Sequence, residues 1–175
     1  MGRHLSSRTL AAVALLVLVG GGRPAFAQDR PRPIVEFVTG YAGFVDENWI
    51  DRTMIGGGGR FFVSRRVAIG PEFVYLKGAN SEHDLTITGN ATIDLVREDP
   101  AARQRVIPYI AAGGGYLRQT TQVGTGPFTS SDGTVSGGIG ARIALGKTFF
   151  IAPEFRMGFE PQVRIGVTIG FRGKR

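Results

Sequence analysis

The sequence of 175 residues contains no cysteine, which excludes disulfide bonds, thiol catalysis and cysteine metal sites. It has only two histidines and one tryptophan. No apolar run reaches the ~20 residues that a membrane-spanning helix requires. Hydrophobic residues nevertheless make up 42% of the chain and charged residues 20%, a balance that excludes a disordered protein. The length fits a single domain.

Glycine is the residue in clear excess, with 27 copies, about twice the usual share. The net charge of +7 is less informative. Three of the 21 basic residues (Arg3, Arg8 and Arg23) lie before position 28, where there is no acidic residue, so 18 basic and 14 acidic residues remain. So small a surplus gives little support for nucleic-acid binding, and no nucleic-acid partner is predicted.

Residues 1–27 have the three regions of a secretory signal peptide. Arg3 and Arg8 give a positive start, Leu10 to Val19 is an unbroken apolar run, and Ala25-Phe26-Ala27 supplies small residues for cleavage. The apolar run is half the length needed to span a bilayer as a helix. We therefore predict an exported protein that is cleaved after Ala27 and whose mature domain covers 28–175.

From Ile34 onward the hydrophobic pattern has a period of two, which predicts strands. Short turns at 64–66 and 146–147 alternate with longer polar connections at 46–52, 79–84 and 121–133, as in membrane barrels. Two connections depart from this rule, because 97–105 is long and Glu160-Pro161 is short. The predicted fold is all-β, an eight-stranded antiparallel up-and-down transmembrane barrel, with strands at 34–45, 53–63, 67–78, 85–96, 106–120, 134–145, 148–159 and 162–172.

One face of these strands is bulky and apolar, and the last strand shows it clearly at Val163, Ile165, Val167, Ile169 and Phe171. Such a face suits lipid and is too large for the interior of eight strands. Aromatic residues near the strand ends, including Tyr41, Tyr75, Tyr109 and Phe149, resemble the aromatic girdles of membrane barrels. Pro71 and Pro153 interrupt the apolar face, and β-bulges are expected there.

The opposite face is polar, and three features predict that it points inward. Its cations are all arginine, its acids and cations nearly balance, and its glycines (Gly114, Gly138 and Gly166 among them) leave room for long side chains. Phe62, Ile110 and Phe150 also fall on this face. The predicted inward polar network consists of Glu36, Arg60, Glu72, Asp94, Arg118, Arg142, Glu154, Arg156 and Arg164.

The final strand, Arg164-Ile165-Gly166-Val167-Thr168-Ile169-Gly170-Phe171, resembles the assembly signal of small outer-membrane β-barrels, the superfamily of OmpA transmembrane domains, OmpX and OmpW-like proteins. The resemblance covers 34–172 and implies that Arg164, Gly166, Ile169 and Phe171 are recognised by the barrel-assembly machinery. It also implies location in the cell outer membrane, with outer-membrane lipid as a partner. The tail at 172–175 departs from family members that end on the aromatic residue.

Two segments have a superficial likeness to catalytic motifs. Residues 141–148 fit a loose phosphate-loop pattern, but they lie in an alternating strand instead of opening a helix. Ser81-Glu82-His83-Asp84 could serve a lipid-modifying enzyme, although a solvated loop tip explains it more simply. We therefore predict no catalytic, metal or cofactor-binding residues.

The sequence favours a non-enzymatic envelope protein with a structural or surface-presenting role and a lumen filled by the arginine–carboxylate network. Residues 121–133 are predicted to form an irregular outer loop that offers Phe128, together with Trp49, to a surface ligand. The alternative is a narrow OmpW-like channel for small or hydrophobic solutes. A lipid-modifying barrel enzyme is a third hypothesis.

Overall fold

The computed structural model describes residues 33–43, 52–78, 82–96, 105–123, 126–146, 148–159, 161 and 163–172. The predicted signal peptide and Trp49 lie outside these residues. Eight antiparallel strands form a closed barrel in which each strand pairs with its sequence neighbours and the last pairs with the first. The strands are β1 (Ile34–Gly43), β2 (Arg52–Phe62), β3 (Val67–Lys77), β4 (His83–Asp94), β5 (Val106–Val123), β6 (Gly126–Ala144), β7 (Phe149–Phe159) and β8 (Val163–Arg172).

Because the barrel is closed, each described strand has a neighbour on both sides in the barrel wall. Backbone N–H and C=O groups can therefore bond to neighbouring strands where no water is present. Val35, Ile139 and Met157 are 67%, 62% and 59% exposed, so the predicted apolar face lies on the outside. We call the end with residues 63–66 and 145–146 the turn end, and the opposite end the hairpin end. Among the described residues, no helix is long and apolar enough to cross a membrane.

Pro71 and Pro153 interrupt the hydrogen-bonded ladder with the preceding strand, but they do not shift it. Pairing of β2 with β3 stops at Glu72 and resumes at Ile69 in the same register. Pairing of β6 with β7 is interrupted in the same way beside Pro153. No residue is inserted on either strand, so the predicted bulges are wrong, and each proline's missing N–H is accommodated by a short gap.

The hairpins β2–β3 and β6–β7 repeat one another in sequence and register. Residues 69–73 read Ile-Gly-Pro-Glu-Phe and residues 151–155 read Ile-Ala-Pro-Glu-Phe. Arg60 precedes Glu72 by the same separation as Arg142 precedes Glu154. The two hairpins face each other across the ring of eight strands, so two opposing walls carry an arginine and a glutamate at equivalent positions of the repeat.

Strand β5 faces the opposite way from the prediction. Tyr109 and Leu117 point inward and are 4% and 0% exposed, whereas Ile110 is 46% exposed. Gly114 also lies on the outer face, because a Cβ there would meet Val135 on the outer surface. Inward Tyr109 is favoured because its hydroxyl donates a hydrogen bond to a lumen carboxylate, which isoleucine cannot do.

Arg118, on the same strand, is consequently wrong as an inward residue. It is exposed on the outer surface, where it pairs in register with Leu85 and Ser131. This position is close to the hairpin end, where a long cationic side chain can reach water.

The predicted irregular loop at 121–133 is also wrong, because β5 and β6 continue as a two-stranded hairpin to the Val123–Gly126 pair. Within the described residues, 126–134 of β6 pair with β5 alone. Polar cross-strand contacts accompany this extension, among them the 2.6 Å hydrogen bond from the Tyr116 hydroxyl to Ser131 Oγ. Phe128 is 62% exposed on the hairpin.

Candidate functional site

The centre of the lumen is organised around the buried carboxylate of Glu72 on β3. Its Oε1 accepts a hydrogen bond of 2.8 Å from Arg164 Nη1 on β8. Its Oε2 lies 3.4 Å from Arg156 Nη2 and 3.7 Å from Arg60 Nη2. One carboxylate therefore holds three arginines that arise from three different strands.

Arg156 on β7 is the most enclosed of these arginines, at 1% exposed. Its Nε donates to Glu154 at 2.6 Å, and its Nη1 donates to Asn90 Oδ1 at 2.6 Å. Since β3 and β7 are four strands apart in a ring of eight, the contact between Arg156 and Glu72 spans the lumen. The planar guanidinium can make these contacts simultaneously because its donors point in several directions.

Two further contacts extend this central network to the opposite walls. Arg60 Nε donates to Glu36 Oε2 at 2.8 Å. The Tyr109 hydroxyl donates to Glu154 Oε2 at 2.8 Å. The network then contains three arginines and three glutamates and is electrically balanced, which offsets much of the cost of removing charges from water. Its charged members are Glu36, Arg60, Glu72, Glu154, Arg156 and Arg164.

A separate ion pair lies towards the turn end. Arg142 on β6 donates to both carboxylate oxygens of Asp94 on β4, at 3.0 and 2.7 Å. Its guanidinium carbon lies 4.9 Å from the ring centroid of Tyr109 and 5.7 Å from that of Phe62. A bidentate pair held between aromatic rings fixes the arginine geometrically as well as electrostatically.

A third cluster, which the sequence reasoning missed, lies at the hairpin end. Arg52 on β2 forms an ion pair with Asp84 on β4, and its Nη2 lies 3.5 Å from Glu82. Arg52 and Asp84 are 2% and 0% exposed. The sequence analysis places both residues in polar connections. In the structure, β2 begins one residue and β4 two residues earlier than predicted. Continuing the alternation to these positions would have placed both side chains inside.

Two apolar layers enclose the central network. The layer at the turn end consists of Ile34, Phe62, Ala68, Tyr109, Ala111, Phe150 and Ala152. The layer at the hairpin end consists of Val38, Ala42, Met54, Val74, Leu76 and Leu117. Glycine is needed where this packing is tightest, because a Cβ at Gly170 would overlap the ring of Phe150. Apolar side chains therefore pack in the lumen on both sides of the central network.

The structure places eight of the nine predicted network residues in the lumen, with Arg118 as the exception. Asn90, which the prediction did not include, belongs to the network as well. Of the predicted assembly signal, Arg164 and Gly166 point inward, whereas Ile169 and Phe171 are 40% and 42% exposed. Recognition of these four residues by the assembly machinery stays a prediction.

The cluster around His83 has a structural explanation in the described residues. Glu82 and Asp84 bind Arg52, and the His83 ring stacks on Tyr75 with centroids 6.1 Å apart. Ser81 lies outside the described residues. In the described part of the chain, no three histidine or acidic side chains are placed to hold a metal ion.

The architecture is that of the small eight-stranded outer-membrane β-barrels. The chain is similar to the N-terminal barrel domain of Pseudomonas aeruginosa OprF, with a TM-score of 0.67, 14% identity, and coverage of 83% of this chain and 100% of that one. For neisserial surface protein A the TM-score is 0.62 and the identity 10%, with coverage of 81% of this chain and 96% of that one. For Ail, the attachment invasion locus protein of Yersinia pestis, the TM-score is 0.55 and the identity 11%, with coverage of 83% of this chain and 100% of that one. No protein-family model matches the chain. No curated protein matches it in sequence.

Proposed function

We propose that this protein is a non-enzymatic outer-membrane barrel whose lumen is closed and whose role is structural or surface-presenting. The observation that carries the proposal is the balanced central network, which crosses the lumen between two apolar layers. The common fold with OprF, neisserial surface protein A and Ail supports an outer-membrane location. The signal-peptide pattern of residues 1–27 supports export.

A solute that crossed this lumen would have to separate buried ion pairs and displace apolar side chains at both ends. Arg156 stands in the path, because it bonds residues on the opposite wall while lying 1% exposed. Separating such a pair exposes an uncompensated charge to a poorly hydrated interior. The resting barrel is therefore expected to be closed to ions, which disfavours the narrow-channel alternative.

Planar-bilayer recording tests this closed state. The refolded wild type is expected to show no steady current. Arg156→Ala removes the side chain that spans the lumen and is expected to produce frequent conductance events. Lys77→Ala, at an exposed residue on β3, serves as the matched control and is expected to behave like the wild type. A large steady wild-type current that Arg156→Ala leaves unchanged would instead establish the OmpW-like channel.

The extended β5–β6 hairpin is the part of the barrel best placed to contact other molecules. It continues beyond the last β6–β7 pair, Val135–Phe159, and carries the exposed ring of Phe128. A paired hairpin holds its side chains in fixed positions, which reduces the ordering cost of binding. We propose that it faces the cell exterior.

The absence of cysteine makes the orientation directly measurable. Phe128→Cys on the hairpin and Arg66→Cys at the turn end each introduce a unique thiol. A membrane-impermeant maleimide applied to intact cells is expected to label Phe128→Cys, whereas Arg66→Cys should react only after the outer membrane is permeabilised. The reverse pattern would invert the proposed orientation.

A further inference from the structure

One sector of the turn end combines exposed arginines with exposed aliphatic side chains. Arg65 and Arg66 form the β2–β3 turn, and Arg105 directly precedes β5. All three are exposed. The Arg66 carbonyl accepts a backbone hydrogen bond of 2.8 Å from Asp94, which joins this turn to the end of β4. A second backbone bond, from Leu95 to Pro108, joins β4 to β5, so the three arginines share one sector of the rim.

The aliphatic part of this sector consists of Val63, Leu95, Val96 and Val106, which are 38–51% exposed. They continue the outer apolar face towards the arginines, since Phe61 and Ile93 on the same strands are 58% and 50% exposed. Apolar side chains that lead to cations at the end of a barrel match the boundary between acyl chains and headgroups.

The charge of this rim differs from that of the hairpin end. At the turn end the described acidic residue is Asp94, which is buried and paired with Arg142 inside the barrel. At the hairpin end the described cations Arg52, Lys77 and Arg118 are balanced by Glu82, Asp84 and Asp132. Among the described residues, the exposed cations Arg66 and Arg105 therefore give the turn end a positive surplus that the hairpin end does not have.

We propose that this sector, comprising Arg65, Arg66 and Arg105 with the four aliphatic residues, binds the phosphodiester headgroups of anionic phospholipids in the leaflet at the turn end. Arginine donates paired hydrogen bonds to phosphate oxygens, and the aliphatic side chains contact the upper acyl chain of the same lipid. A lipid fits better than a protein partner, because the sector continues the lipid-facing belt without a break. The inference rests on the proposed membrane insertion and is independent of the closed lumen.

The repeat within the chain supplies a substitution that the fold tolerates. The position of Arg66 in the β2–β3 turn corresponds to Thr148 in the β6–β7 turn. Arg66→Thr therefore removes one cation and leaves a residue already present in the equivalent turn. The full variant is Arg65→Gln/Arg66→Thr/Arg105→Gln, and Lys77→Gln/Arg118→Gln at the hairpin end is the control.

The test uses nanodiscs that contain equal amounts of phosphatidylglycerol and phosphatidylcholine with identical acyl chains. Native mass spectrometry counts the lipids that each barrel retains. Wild-type protein is expected to retain phosphatidylglycerol preferentially, and Arg66→Thr to lower that preference about fivefold, the factor for one arginine near an anionic surface. The triple variant is expected to show no preference, and the control to match the wild type.

Two results would overturn the proposal: equal retention of both lipids by the wild type, or equal loss of preference in the control. Heat-modifiable migration on gels shows separately whether each variant has folded into a bilayer. If the triple variant fails to fold, Arg66→Thr alone decides the question. A barrel that folds and inserts but shows no lipid preference would contradict this inference and leave the proposed membrane role intact.

Discussion

Replacing Glu72 by glutamine is expected to lower the free energy of unfolding by about 3–5 kcal/mol, the cost of leaving a buried charge without its partner. The reason is that Glu72 contacts Arg60, Arg156 and Arg164, and its side chain is 6% exposed. Glutamine preserves the shape of the side chain but removes its charge. The central network would then hold three cations and two anions, and its arginines would repel one another.

Urea titration of the barrel in lipid vesicles, followed by heat-modifiable gel migration, measures this loss. Glu82→Gln is the matched control, because Glu82 is a less buried glutamate at the hairpin end and lies 3.5 Å from Arg52. It is expected to cost clearly less than Glu72→Gln, because Arg52 keeps its ion pair with Asp84 when Glu82 is neutral. A loss for Glu72→Gln as small as that of the control would show that the network contributes little to stability.

A double variant separates the loss of charge balance from the loss of packing. In the described structure the Arg164 guanidinium bonds Glu72, and its buried Nε has no acceptor. Glu72→Gln/Arg164→Gln leaves two arginines and two glutamates in the central network. It is therefore expected to recover part of the stability lost in Glu72→Gln. A double variant less stable than the single one would contradict the electrostatic explanation.

Fold and side-chain orientation could be predicted where strand residues alternate strictly in size and polarity. In β8 every second residue from Val163 is apolar, and in β4 threonines alternate with leucine and isoleucine. For a strand with one face in lipid and one in a narrow lumen, only one orientation is compatible with such a pattern.

The same reasoning failed for β5 because its sequence does not alternate. Ile107, Tyr109 and Ile110 place apolar residues at both parities, and Ala111 to Gly115 contains only alanine and glycine. The hydrophobic pattern therefore does not decide the orientation of β5, whose inward Tyr109 hydroxyl donates to Glu154 in the structure. The β5–β6 extension was missed because its polar, glycine-containing sequence resembles a loop, although cross-strand pairing stabilises it as a hairpin.

The composition of the lumen could be predicted, but its pairing could not. The alternation of residues along a strand shows which side chains face the interior, but it does not specify the partner of each one. Arg156 reaches Glu72 from 84 residues away because closure brings opposing walls together. Which arginine meets which carboxylate depends on strand stagger, and the hydrophobic pattern does not encode stagger across the barrel.

An arginine in place of Ile139 is expected to lower the stability of the barrel in lipid by about 2–4 kcal/mol, the range for a cation near the bilayer midplane. Ile139 is 62% exposed on the outer face of β6, and it pairs in register with the exposed side chains of Ile110 and Phe155. The new guanidinium would therefore lie among apolar neighbours on the outer face, whereas Glu154 on the adjacent strand points into the lumen. Urea titration in vesicles of defined thickness measures the cost.

Phe128→Arg is the matched control, because Phe128 is equally exposed at 62% but lies on the hairpin extension of the same strand. If the barrel spans a bilayer, this extension is in water, and the substitution is expected to change stability by less than about 0.5 kcal/mol. If Ile139→Arg lowers the stability more than Phe128→Arg does, the difference shows that Ile139 is surrounded by lipid, because a general effect of arginine would be the same at both positions. If both substitutions are harmless and the protein stays monodisperse without detergent, the outer face contacts water, and the chain is a soluble barrel.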